Sequence, residues 1–265
     1  MVSTSTSNPS AAGVSVDPMP ADHQGRLLDL EAARRQLEPL TPQQRLAWAQ
    51  DCFAERFALT TSFGIQAAVL LHMVSELGRR TGLQVPVIWV DTGYLPPETY
   101  RYADQLRQIL DLDLHVAQSP MSPARMEALH GQLWSTGKVD DLELYHRIRK
   151  VEPLDRMLRD LQVSCWASGV RGNQTDHRRA MSPLDPVRQR WSLRPLLSWS
   201  KKDVYYYMVD HGLPQHPLFD QGYSTVGDWH SSAPDGAEAS GRATRFGGLK
   251  QECGIHLPGV MGEGI

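Results

Sequence analysis

The sequence predicts an α/β fold, a mainly parallel sheet with helices on both faces. Short apolar segments of strand type alternate along the chain with segments of helical periodicity, the order that a parallel sheet requires. The strand segments are almost continuously apolar, as in "VPVIWV" at 85–90, the pattern of strands covered on both sides. Three of them run into polar turns, and in such sheets ligands sit at the carboxyl ends of the strands.

Two helices come first, between Leu27 and about Arg56, divided at "EPLTPQQ", where Thr41 and Pro42 suit a helix cap and a first helical position. "RFALTTSFG" is the first strand with its turn, and "IQAAVLLHMVSEL" follows as a buried helix, apolar on most faces. "VPVIWV" is the second strand; it ends in "DTGYLPPET" before the helical "YRYADQLRQIL". "DLHVAQS", "QVSCWASG" and "WSLRPLLSW" give three more strands, with helical stretches over 124–133, 141–161 and 203–211. From about Gly212 the periodicity dissolves into Gly, Pro, Ser and Asp. The expected organisation is a disordered leader over 1–25, an α/β domain over 26–211 and a mobile tail over 212–265.

With 265 residues, 41% apolar and 22% charged, one large domain suffices. A net charge of −3 gives no basic excess for wrapping a nucleic acid, so any anion site must be local. The apolar runs are too short to span a membrane, and the amino terminus has neither a secretory nor a transit pattern, so the expected location is cytoplasmic. Three cysteines without a Cys-x-x-Cys favour a reducing compartment, and the ten histidines show no metal-ligand spacing.

"TTSFG" places Thr61, Ser62 and Gly64 at a strand-to-helix junction, where hydroxyls and backbone N–H groups can hold a phosphate; a simple helix cap is the competing reading. "SGVRGNQTDHRR" places Arg171, Arg178 and Arg179 in a loop at the same sheet edge, where guanidinium forks can grip phosphate oxygens. Cys52 and Cys165 fall in apolar periodic segments and read as core residues. Cys253 differs, because it stands in the glycine-punctuated "FGGLKQECGIHLPG" beside Lys250 and His256. A free thiol is about 3% thiolate at neutral pH, and lowering its pKa by two units takes about 2.7 kcal/mol of differential stabilisation.

Three blocks, "SFGIQAAVLLH", "DTGYLPPETYRYADQL" and "HPLFDQGYSTVGDWHSS…TRFGGLKQECGIH", together resemble the phosphoadenylyl sulfate (PAPS) reductases, of the adenine-nucleotide α-hydrolase-like superfamily. The resemblance covers about Leu40 to the carboxyl terminus, with Glu-Cys-Gly-x-His its most specific element. It implies a nucleotide-binding domain and a tail that carries the catalytic cysteine. By that resemblance Cys253 attacks the sulfonate sulfur, forming an S-sulfocysteine that thioredoxin, or glutaredoxin, resolves to sulfite. Catalytic roles fall to Cys253, Lys250 and His256. Substrate contacts fall to Thr61, Ser62, Phe63 and Gly64 in the modified pyrophosphate loop, to Asp91, Thr92, Gly93 and Tyr94 near adenine and ribose, and to Arg171 and Arg178. Lys150, Tyr223 and Arg245 are candidates for the sulfonate and phosphate shell, and a homodimer is implied.

The iron–sulfur branch of the family, which prefers adenylyl sulfate, carries a Cys-Cys pair and a Cys-x-x-Cys where this chain reads Tyr145-His146 and Asp228-Trp229-His230-Ser231. Without those thiolates a Cys-ligated cluster cannot be built, and by the same resemblance the absence of a cluster implies PAPS as substrate. The alternatives are a cluster-free adenylyl sulfate reductase, an ATP-dependent adenylating enzyme, which needs a Ser-Gly-Gly-x-Asp-Ser loop that this chain lacks, and a nucleotide-binding redox sensor.

Overall fold

The computed structural model describes residues 19–236, 241–248 and 255. Helices α1 (Leu30–Leu37) and α2 (Pro42–Phe53) precede the sheet. Thr41 closes a capping box at the start of α2, its hydroxyl accepting from the Gln44 N–H while the Gln44 side chain accepts from the Thr41 N–H. Six strands follow: β1 (Phe57–Thr61), β2 (Val87–Asp91), β3 (Leu114–Gln118), β4 (Cys165–Ala167), β5 (Leu184–Val187) and β6 (Arg190–Leu193). Their order in the sheet is β3-β2-β1-β4-β6-β5, and all neighbours run parallel except β5 and β6.

Strand residues alternate between two cores, as a two-residue period dictates. Phe57, Leu59, Val87, Trp89, Cys165 and Ala167 enter the larger core, beneath α2, α3 (Ala67–Thr81), α4 (Pro97–Leu110) and α9 (Lys201–Asp210). Ala58, Ile88, Val90 and Trp166 face the other way, toward Leu154 and Leu158 of α7 (Glu152–Asp160). Helices thus cover both faces, as expected.

The expected helix over 141–161 is interrupted. α6 (Val139–His146) passes into α7 through a π turn, Arg147–Val151, because Pro153 has no N–H to return to the Arg149 carbonyl. The wider turn carries Arg149 and Lys150, both buried. β5 is a strand the sequence reading lacks: Pro186 argues against a ladder, and the hairpin turn is made by Arg188 and Gln189, both left-handed (φ 54° and 57°), where Asn-Gly would have announced it. An edge position tolerates the proline.

Residues on either side of 26–211 also make defined contacts. Asp22 is buried and accepts from the Gln24 and Arg26 N–H groups, and the Trp191 indole donates to the Pro20 carbonyl at 2.8 Å. Beyond Gly212, His216, Asp228 and Ser231 are buried. These polar anchors leave no hydrophobic period, so the segment reads as tail.

His216 is the first anchor. Its Nδ1 accepts from the Leu218 N–H (3.1 Å), so the ring proton sits on Nε2, 3.0 Å from Thr99 Oγ1. Burial lowers its pKa to about 4, against a weaker opposing pull from Glu98. Between an unfolded value of about 6.5 and about 4, the unfolded chain binds a proton that the folded ring refuses. The stability present above the upper limit is therefore lost as pH falls, by about 1.4 kcal/mol per unit at most. Urea unfolding of His216→Gln should show a shallower pH slope across that window than the parent. Equal slopes would mean that another group carries the titration.

Candidate active site

A cavity of about 220 Å³ opens at the carboxyl ends of β1 and β4, where the strand order reverses direction. Thr61, Ser62, Gly64, Ser168, Arg171 and Arg178 line it, and residues 224–226, Arg242 and Ile255 close one wall.

In the β1–α3 turn, Thr61 Oγ1 accepts from the Phe63 N–H at 3.0 Å. Phe63 has φ +47°, which turns its ring into the core edge-on to Trp89 (5.0 Å), so only its backbone serves the turn. The helix-cap reading of "TTSFG" does not hold. The cap residue of α3 is Gln66, no side chain caps that terminus, and the Thr61 hydroxyl shapes the loop instead. A fifteen-residue helix therefore presents an uncapped amino terminus to the cavity, whose lining includes Gly64 through Ala67, and that terminus favours an anion.

Across the cavity, a 3-10 turn (Gly172–Gln174) and α8 (Asp176–Arg179) hold the arginines. Arg171 and Arg178 are each 4% exposed. Gln66 accepts from Arg171 Nη2, and Gln174 accepts from both Arg178 Nη1 and the Arg171 N–H. Arg171 Nη1 has no partner among the described residues. Burial, then the neighbouring Arg178, pushes the Arg171 guanidinium down to about 10, still protonated at neutral pH. A buried cation with an unused N–H beside a second cation is a seat for a polyanion. Arg179 points away, paired with exposed Asp176.

A second group of expected residues lies one strand over and does not line this cavity. Asp91 has both oxygens engaged: Oδ1 accepts from the Gly93 N–H (2.8 Å) and the Tyr100 hydroxyl (2.7 Å), and Oδ2 accepts from Gln118 Nε2 (2.6 Å). It shapes the turn. Thr92 donates to Asp228, Gly93 takes φ +76°, and Tyr94 donates to Glu127 at 2.8 Å beneath Arg149. Lys150 Nζ lies 2.6 Å from Asp228 Oδ2. Tyr223 packs with Ile65, Leu218 and Val226 beside the cavity wall. Cys253, Lys250, His256 and the Arg245 side chain lie outside the described residues.

Gln66, Gln174, Ser168 and Asp228 escaped sequence reasoning. The Gln66 and Gln174 amides and the Asp228 carboxylate hold other side chains, a role that announces itself by no motif, although Gln66 directly follows the flagged turn. Tyr145 and the 228–231 stretch, far apart in sequence, meet: the Tyr145 hydroxyl is 3.1 Å from His230 Nε2, and His230 stacks on Trp134 at 4.3 Å. No group of three His, Cys, Asp or Glu is placed to hold a metal among the described residues. Nor is any described helix long and apolar enough to cross a membrane.

Comparison with known proteins agrees with this architecture. The chain is 51% identical over 232 residues to a phosphoadenosine 5'-phosphosulfate reductase of Synechocystis sp., covering 87% of this chain and 92% of that one. It is 46% identical over 228 residues to the Shewanella oneidensis protein of the same name, covering 86% and 91%. The crystal structure of PAPS reductase from Candida auris, a phosphate complex, superposes with a TM-score of 0.66 at 29% identity, covering 78% of this chain and 98% of that one. The Candida glabrata FMN adenylyltransferase shares the fold alone, with a TM-score of 0.56 at 13% identity over 79% of this chain and 69% of that one. Residues 56–234 match the phosphoadenosine phosphosulfate reductase domain, and with these relatives the chain belongs to that family.

Proposed function

We propose that the protein reduces PAPS to sulfite and adenosine 3',5'-bisphosphate, using Cys253 as nucleophile and a dithiol protein of the thioredoxin or glutaredoxin kind as reductant. The observation that carries this reading is the buried Arg171–Arg178 pair, with Arg171 Nη1 unused, facing the uncapped start of α3 across one cavity. Its relatives' names supply the substrate. The turn made by Thr61, Ser62, Phe63 and Gly64 and the two arginines bind phosphates, and the turn made by Asp91, Thr92, Gly93 and Tyr94 shapes the adjoining side. Lys150, Tyr223 and Arg245 complete the anion shell.

In the first step the Cys253 thiolate attacks the sulfonate sulfur, a Cys S–S bond forms, and the sulfur–oxygen bond to the nucleotide phosphate breaks with its electron pair. A donor thiolate then attacks Cys253 Sγ and expels sulfite; its second thiol resolves the mixed disulfide, so the donor supplies two electrons and Cys253 returns as a thiol. Lys250 and His256 lend positive field to the thiolate. Ile255 lines the cavity wall and is two residues from Cys253, a chain reach of at most about 7 Å. Intact-mass measurement after mixing with PAPS, without any dithiol, should show a gain of one SO₃ on the Cys253 peptide, released as sulfite by reduced thioredoxin. Nucleotide binding without that adduct would exclude the reaction.

A further inference from the structure

Asp228 lies outside the cavity lining, and its carboxylate engages three other side chains. It is fully buried and sits in a segment that sequence periodicity leaves unstructured. Oδ1 accepts from Thr92 Oγ1 at 2.5 Å, Oδ2 lies 2.6 Å from the Lys150 ammonium, and Tyr145 also hydrogen-bonds to the carboxylate. The surrounding backbone locks it in place. Its own carbonyl accepts from the Ser231 and Ser232 hydroxyls (3.1 and 2.9 Å), and the next N–H, that of Trp229, donates to the Tyr94 carbonyl at 2.7 Å. Arg149 Nε donates to the Thr92 carbonyl at 2.7 Å, so the 92–94 turn is held from both sides.

A buried ion pair of this kind contributes little net stability, because desolvating both charges offsets their attraction. Its value lies in where it puts the charges. Lys150 comes from the π turn, and its side chain is only 8% exposed. We propose that Asp228 is a positioning residue that acts through Lys150: held by Thr92, it fixes where the ammonium stands for the sulfonate end of the substrate. This rests on the proposed place of Lys150 in the anion shell. Asp228 stands only two residues after Val226 of the cavity wall, so the alternative role is plain support of that wall.

The test separates the two. Asp228→Asn keeps shape and removes charge; it should slow single-turnover formation of the sulfonated protein about 100-fold, the scale of a misplaced reacting group. Binding of adenosine 3',5'-bisphosphate, which lacks the sulfonate, should stay within about twofold, far inside that scale. Lys150→Met should show the same pattern, and adding Asp228→Asn to it should cost nothing further, since the two act as one unit. If D228N fails to fold, Thr92→Val, which removes the hydroxyl that aims the carboxylate, should give about a tenfold loss of the same kind. Multiplicative losses, a parallel loss of product-nucleotide binding, or an unchanged rate would each overturn the proposal. Failure of the wild-type protein to form the adduct would instead strike the proposed reaction itself.

Discussion

Replacement of Cys253 by serine is expected to abolish sulfite formation while leaving nucleotide affinity unchanged. Both steps of the proposed reaction need sulfur at this position. A serine hydroxyl is almost wholly protonated at neutral pH, and even an O-sulfonate formed there would offer the donor thiolate no sulfur from which sulfite could leave with two electrons. Loss of the proposed nucleophile should lower turnover by at least about 10⁴-fold. The remaining cysteines cannot substitute. Cys165 is fully buried in β4, and burial holds its thiol far above the ordinary range. Cys52, in α2, is pushed up to about 11, chiefly by burial and then by Asp22. Neither carries appreciable thiolate at neutral pH. Single-turnover sulfite release with PAPS and reduced thioredoxin, alongside titration with adenosine 3',5'-bisphosphate, checks both halves. Residual turnover above that limit would mean that another group receives the sulfonate.

Much of this fold is legible because parallel strands covered on both faces must be apolar at every position. "VPVIWV" could hardly be anything else, and β2 lies next to the centre of the sheet. β5 escaped because an edge strand may hold a proline and because Arg188 and Gln189 make its turn without glycine or asparagine. In the site, Thr61 and Arg171 were visible as chemistry after a strand, since only position was needed. What they lean on was not visible. Gln66 and Asp228 act on residues 105 and 136 positions away, and no local period encodes such pairs. Asp91, which the resemblance places near adenine and ribose, accepts from Gly93, Tyr100 and Gln118 and so holds the turn, a role no local pattern announces.

That turn gives the second large effect, from a single methyl group. Gly93 sits at φ +76°, where an L-residue costs about 1–2 kcal/mol. A Cβ there would lie 2.8 Å from Pro123 Cγ and 2.9 Å from Arg149 Nη2. Neither neighbour can withdraw easily. Pro123 is the rigid first residue of α5 (Pro123–His130), and Arg149 is tied to the Thr92 and Met121 carbonyls. Overpacking of this kind adds about 1–3 kcal/mol, so Gly93→Ala should cost about 2–5 kcal/mol in all. For a chain of this size that corresponds to a fall in Tm of about 5–15 °C. Gly82 supplies the control: its φ is +74°, in the left-handed region, but an added Cβ would meet nothing within 4 Å. Gly82→Ala therefore reports the backbone cost alone, and Gly93→Ala must exceed it by the cost of the collision. Calorimetry of the two variants decides the matter, because equal shifts would mean that Pro123 and Arg149 yield freely and do not fix the turn.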